Sequence, residues 1–184
     1  MEILHVTEDD ACELLGIYGY YVISTAVSFE YEIPSVDEFK ERIKDISAKY
    51  PYIKAVSDGK ILGFAYANVF KGRKAYDWSV EVTVYVKSDE RKKGVGKALY
   101  TELEKLLKGM GILNMNACIA ATDREDAHLT NDSQEFHEKM GFDFVGTFHK
   151  SGFKFGTWYD MIWMEKIIGP HENPADVEFG KYNS

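Results

Sequence analysis

"ERKKGVGKAL", residues 90–99, decides how the rest of the chain is read. Gly94 and Gly96 stand one residue apart, with Arg91, Lys92 and Lys93 just before them and Lys97 just after. Val95, Leu99, Leu103, Leu106 and Met110 follow at three- or four-residue steps, so a helix is expected from Gly94 to about Lys108. Upstream, "WSVEVTVYV" (78–86) alternates, with Val80, Val82, Val84 and Val86 on one face and Glu81, Thr83 and Tyr85 on the other. A local bulge would reset that alternation. A strand therefore runs into a glycine turn that opens a helix. Glycines let a bulky anion approach the backbone, and the unpartnered N–H groups of the first helical turn point at it. Cations at that end oppose the helix dipole unless an anion is present.

The phosphate loop can be typed by elimination. A nucleoside-triphosphate loop needs four residues between its first glycine and Gly-Lys-Ser/Thr; here one residue separates the glycines and Ala98 follows Lys97. A dinucleotide fingerprint needs a third glycine where Leu99 stands. A pyrophosphate attached to something lying along the preceding strand fits what remains.

A net charge of −8 argues against nucleic-acid binding, and the local basic cluster on an acidic body suggests one anionic ligand. There is no apolar run long enough for a membrane helix, and "MEILHVTEDD" is too acidic for a signal peptide. Cys12 and Cys118 lack metal-ligand spacing and read as two buried thiols in a reducing cytosol, so a cytoplasmic protein without metal is expected.

Outside the loop, Thr7 to about Tyr21 reads as a helix opened by "TEDD". "PSVDEFKERIKDISAKY" (34–50) reads as another, with Ser35 and Glu38 as a capping box and Phe39, Ile43 and Ile46 as its apolar stripe. "YIKAVSDGKILGFAYANVF" (52–70) alternates about Asp58-Gly59, a hairpin signal. "NMNACIAA" is a strand, "SQEFHEKM" a short helix capped by Ser133, and "DFVGTFHK" and "GTWYDMIWMEKII" two closing strands. Residues 1–168 form one α/β domain, and 169–184 are expected to be loosely ordered.

The same residues resemble a known superfamily. Arg91-x-x-Gly94-x-Gly96 after an apolar strand is similar to the acetyl-CoA motif of the GNAT N-acetyltransferases. "SQEFHEKMGF" resembles their next helix. "KGRKAYDWSVEVTVYV" (71–86) and "SGFKFGTWYDMIWME" (151–165) resemble the phosphinothricin acetyltransferase branch, and "YVISTAVSFEYEIP" (21–34) does so more weakly. The resemblance spans residues 5–168 and implies a mostly antiparallel mixed sheet flanked by helices.

It also implies roles. Acetyl-CoA would lay its pantetheine arm along the backbone of Val84, Tyr85 and Val86. Its pyrophosphate would lie on Lys92, Lys93, Gly94, Val95, Gly96 and Lys97 beside Arg91. Glu81 falls at the branch's general base; the bland alternative is an ordinary strand carboxylate. His137 falls where relatives place a proton donor for the leaving thiolate, with Tyr85 as the fallback, and the alternative is a packed structural histidine. A backbone N–H at a bulge near Val84 would hold the oxyanion. Asn131 would touch CoA, although the chain lacks a proline here and carries an extra acidic loop, "ATDREDAHLT" (121–130). Its acids lack metal spacing. Arg73, Tyr76, Trp78, Lys154 and Trp158 would surround a small amine acceptor carrying an anionic group. The expected enzyme acetylates an amino acid or a phosphinothricin- or methionine-sulfoximine-like analogue in a ternary complex. It works as a homodimer, without nucleic-acid or membrane partners. A peptide N-acetyltransferase and a non-catalytic CoA sensor are the alternatives.

Overall fold

The computed structural model describes residues 1–182. Strand β1 (Glu2–His5) leads into helix α1 (Ala11–Ser24) through a short turn of helix, where Thr7 and Asp10 close a capping box. Helix α2 (Val36–Ser47) starts at Ser35, whose hydroxyl accepts the Glu38 N–H while the Glu38 carboxylate accepts the Ser35 N–H. Strands β2 (Tyr52–Ser57) and β3 (Lys60–Val69) form the expected hairpin. Asp58 and Gly59 both take positive φ, 51° and 71°, which suits a two-residue turn between right-twisting strands. Strand β4 (Ser79–Val86), helix α3 (Val95–Gly109) and strand β5 (Asn114–Ala121) form a parallel crossover. Helix α4 (Asp132–Lys139) and the hairpin β6 (Asp143–Lys154) and β7 (Thr157–Ile167) complete the chain order.

The strands make one sheet in the order β1-β2-β3-β4-β5-β7-β6, antiparallel everywhere except β4 beside β5. Each face buries a core. Leu99, Tyr100, Leu103 and Leu107 of α3 pack on Val80, Val82, Met115 and Met164, while Leu14, Tyr18, Val22, Phe39 and Ile43 pack on Tyr52 and Phe64. The expected alternation of β4 holds: Val80 and Val82 enter the α3 core with Val84 and Val86 against it, and Tyr85 packs on the opposite side.

Four expectations are corrected. The chain opens with β1, too short and too exposed to give a periodic signal. No bulge interrupts the β3–β4 register from Gly63↔Val86 to Val69↔Val80. Cys12 and Cys118 are exposed rather than buried. The segment after Gly169 is docked, not loose, as far as it is described. The Glu178 N–H donates to the Met110 carbonyl and the Gly180 N–H to the Lys49 carbonyl. Tyr182 is buried in the α3 core, and its hydroxyl donates to the Ser47 carbonyl. Four apolar or aromatic side chains in sixteen residues gave too weak a pattern to show this.

Candidate active site

Strand β4 has partners on both sides only at its start. It pairs with β5 through Ser79↔Asn114, Val80↔Met115 and Glu81↔Asn116, whereas its pairing with β3 continues to Val86. Beyond Glu81 the two central strands part, and β5 runs on against β7 alone. The parting leaves the β5-facing edge of residues 82–86 without a neighbouring strand. A cleft of about 230 Å³ fills the wedge, lined among others by Glu81, Thr83, Tyr85, Cys118, Tyr100 and His137. An extended chain with amide groups can pair with such an edge as a further strand would.

Glu81 stands where the strands separate. Desolvation raises its carboxyl above the usual range, and the charge of Lys71 pulls the other way. A carboxylate in that setting is a stronger base than one in water. Lys71 was not singled out in the sequence; its ammonium lies 4.9 Å from the Phe70 ring centre and 5.5 Å from that of Trp163, rings that meet edge-on at 5.6 Å. A cation followed by an aromatic-flanked strand was the available signal. Across the cleft, desolvation and then the charge of Glu81 push the Cys118 thiol up to about 11. It is therefore a protonated thiol near neutral pH, a poor nucleophile for a covalent intermediate.

His137 reaches the cleft in a different state from the expected proton donor. It is buried, its Nδ1 lies 2.7 Å from the Ser133 carbonyl and its Nε2 3.0 Å from the Tyr100 hydroxyl. A carbonyl can only accept, so Nδ1 carries the proton and Nε2 accepts from Tyr100. Burial, only partly offset by the Ser133 bond, lowers its pKa to about 4. The neutral ring has no proton free for a leaving group. The group protonates more readily unfolded than folded, so its contribution to stability is present above about pH 6.5 and lost as pH falls towards 4. The difference is on the order of 3 kcal/mol. Melting profiles of His137→Gln should therefore be flatter than those of the parent between these pH values; parallel profiles would contradict the neutral buried state.

The loop before α3 has the shape of an open anion cradle. Gly94 sits at φ 87° as the N-cap, and Lys92 at φ 61° precedes it. A Cβ on Gly94 would have no protein atom within 4 Å, so the backbone angle, not packing, calls for glycine. Gly96 differs: its Cβ would come within 3.2 Å of the Phe136 ring, so it lets α3 lie close to α4. Asp132 draws two of the cations, with Lys92 at 3.2 Å and Arg91 at 3.9 Å, and Lys93 pairs with Glu90 at 3.2 Å. Val95 is buried and Lys97 exposed. These exposed pairs are weak. Asn131, rather than Ser133, caps α4; its backbone N–H donates to Glu125 and its amide to the Thr122 carbonyl at 3.4 Å.

The five expected acceptor residues do not converge. Arg73 begins a short turn of helix at Lys74–Tyr76 and is exposed. Tyr76 leans edge-on against Phe70. Trp78 is drawn away: its indole N–H donates to the Ala175 carbonyl at 2.7 Å, holding the C-terminal segment. Lys154 is also corrected, because its buried ammonium spends all three donors on the carbonyls of Val22, Thr25 and Ser28. Trp158 is exposed and packs on Phe153 of the neighbouring strand. Among the described residues, no group of three or more His, Cys, Asp or Glu side chains is placed to hold a metal ion, and no helix is long and apolar enough to cross a membrane.

Comparison with known proteins agrees with this geometry. The acetyltransferase (GNAT) domain model matches residues 3–163. A phosphinothricin N-acetyltransferase of Streptomyces viridochromogenes is 33% identical over 90% of this chain and 87% of its own length. An L-methionine sulfoximine/L-methionine sulfone acetyltransferase of Pseudomonas aeruginosa is 31% identical over 85% and 88%. The crystal structure of a GNAT phosphinothricin acetyltransferase from Sinorhizobium meliloti, in complex with AcCoA, superposes with a TM-score of 0.87 at 30% identity. That match covers 100% of this chain and 98% of that one.

Proposed function

The chain belongs to the GNAT acetyltransferases, an acetyl-CoA-dependent N-acetyltransferase by that membership, and we propose that its acceptor is a small amino acid or a phosphinothricin- or methionine-sulfoximine-like analogue. The observation that carries the reading is the parting of β4 from β5 directly beyond Glu81. The donor's pantetheine amides pair with the open edge at Val84, Tyr85 and Val86, and its pyrophosphate lies on residues 92–97 beside Arg91, with Asn131 at the margin. The thioester carbonyl then lies near Glu81, and a free β4 N–H near Val84 faces the developing oxyanion.

Transfer is direct. Glu81 takes a proton from the acceptor's ammonium, itself or through a water, and the amine nitrogen attacks the thioester carbonyl carbon. The tetrahedral intermediate gives up the nitrogen's second proton to solvent water and collapses with loss of the C–S bond, giving the N-acetyl product and CoA thiolate. Tyr85, which lines the cleft and whose desolvated hydroxyl stays protonated, donates a hydrogen bond to the departing sulfur. The protonated thiol of Cys118 supports a ternary complex over an acyl-enzyme.

Arg73 supplies the bidentate anchor for the acceptor's anionic group, and Lys71 and Tyr76 stand on the same stretch of chain. Arg73→Ala should raise the acceptor KM about tenfold or more, the scale of a lost charge-assisted pair, with acetyl-CoA affinity unchanged. The deciding experiment measures CoA release with phosphinothricin, methionine sulfoximine, methionine sulfone and common amino acids against polyamines and a lysine peptide. Preference for the peptide would favour a protein acetyltransferase, and tight acetyl-CoA binding without any amine-dependent release would favour a CoA sensor. The protein acts in the cytoplasm as a homodimer. The exposed Phe144, Val145 and Phe148 on the edge strand β6 offer the second copy an apolar surface. A monomer in sedimentation would remove that part of the reading.

A further inference from the structure

One wall of the cleft is neither strand nor helix. Val27 lines it from the segment that leaves α1, and that segment, residues 24–31, is held by side chains from two distant parts of the chain. From β6, the Lys154 ammonium gathers the Val22 carbonyl in the last turn of α1 at 2.7 Å together with two of the segment's own, Thr25 at 2.8 Å and Ser28 at 2.6 Å. Carbonyls at the end of α1 carry the negative end of the helix dipole, which offsets the cost of burying a cation there. The tip of the Phe29 ring sits against Gly152, where a Cβ would come within 2.3 Å of it, and the Tyr31 hydroxyl donates to the Phe153 carbonyl.

The second hold comes from the acidic loop 121–130. His128 Nδ1–H donates to the Ser24 carbonyl at 3.0 Å, and the His128 carbonyl accepts the Ala26 N–H at 3.0 Å. Its ring stacks on Phe155 at 3.8 Å with the planes 11° apart. Asp126 keeps this loop folded: one oxygen accepts the N–H groups of His128 and Leu129, the other the Tyr159 hydroxyl. Leu129, Tyr159 and Ala26 bury one another, with Val27 and Phe29 packed against them. Among the described residues, none of the hydrogen bonds made by Lys154 or His128 reaches the 92–97 loop; the acidic loop meets the donor side only at its far end, where Glu125 and Thr122 hold Asn131 and Thr130 bonds Asp132.

We propose that Lys154 and His128 are positioning residues that fix segment 24–31 as the acceptor-side wall of the cleft, so that they set acceptor affinity and leave donor affinity alone. Beyond Ser24 the segment has no ladder or helix of its own; the Thr25 and Ser28 hydroxyls hold its Val27 and Glu30 N–H groups locally, and Lys154 and His128 tie its carbonyls to distant parts of the fold. Displacing such a wall by about an ångström is enough to disturb an acceptor's alignment. This rests on the acetyl-transfer reading of the cleft.

The test compares Lys154→Met, which keeps the stem but offers no donor, and His128→Phe, which keeps the stack and loses the bond to Ser24. Two readouts are taken: steady-state kinetics with titrated acceptor, and amide hydrogen exchange. Each variant should raise the acceptor KM about tenfold, leave the acetyl-CoA Kd unchanged and speed exchange in residues 22–31 but not in α2 or β4. An unchanged KM with unchanged exchange overturns the proposal. So does loss of acetyl-CoA affinity with faster exchange throughout, which marks a purely structural role. If Lys154→Met does not fold, His128→Phe decides alone. A parent protein that acetylates no amine refutes the proposed function, and exchange in residues 22–31 then still shows whether the two side chains hold the wall.

Discussion

Glu81→Gln is expected to lose between about 10²- and 10⁴-fold in turnover, the range typical of a general base, while binding acetyl-CoA as the parent does. The amide keeps the shape of the side chain and can still accept a hydrogen bond, but it cannot take a proton. Donor affinity should survive because the open edge of β4 and the 92–97 loop do not depend on the charge at position 81. The environment sharpens the effect. Desolvation lifts the Glu81 carboxyl, so the parent has a better base than water provides. The loss should also shrink as pH rises, since an acceptor that arrives as the free amine needs no base. The measurement is kcat across pH 6 to about 10, the range over which a primary amine near the lysine value deprotonates, with calorimetry for the donor. Full activity at neutral pH would assign the proton to another group. A deficit that stays constant to high pH would mean that Glu81 orients the acceptor and does not deprotonate it.

The fold was legible where the pattern was local. Asp58-Gly59, the Ser35 and Glu38 box and the Val80 to Val86 alternation each specify a backbone geometry through side chains a few residues apart. The glycine turn between β4 and α3 was legible for the same reason, because strand, turn and helix are consecutive. The acceptor half was not. Lys154 is a charged residue in an alternating strand, and nothing near it in the sequence says that its ammonium caps α1 over a separation of more than a hundred residues. Trp78 likewise looked like a pocket wall until its indole was found on Ala175. The state of His137 depends on Ser133 and Tyr100 together, one local and one remote, and only the local partner lies within reach of a motif. Lys71 was passed over because its significance is its nearness to Glu81 across the strand end.

Gly94→Val should weaken acetyl-CoA binding about 100-fold, the loss of one or two charge-assisted hydrogen bonds to a phosphate. Two features of the position lead there. At φ 87° a β-branched residue is strained by about 1 to 3 kcal/mol, so the turn will relax towards negative φ and carry the N–H groups of Val95 and Gly96 away from a common focus. The space around a Cβ here is clear of protein atoms to 4 Å, so the side chain also projects from the cradle's mouth and not into the core. Folding should consequently survive with a modest drop in melting temperature. Gly96 provides the contrast. A Cβ there presses on Phe136, so Gly96→Ala should act through the packing of α3 against α4, lowering stability before affinity. Calorimetric titration of both variants with acetyl-CoA, beside thermal melts, separates the two effects. An unchanged Kd for Gly94→Val would mean that the pyrophosphate lies elsewhere, and the cations at 91–93 would then be no more than partners of Asp132 and Glu90.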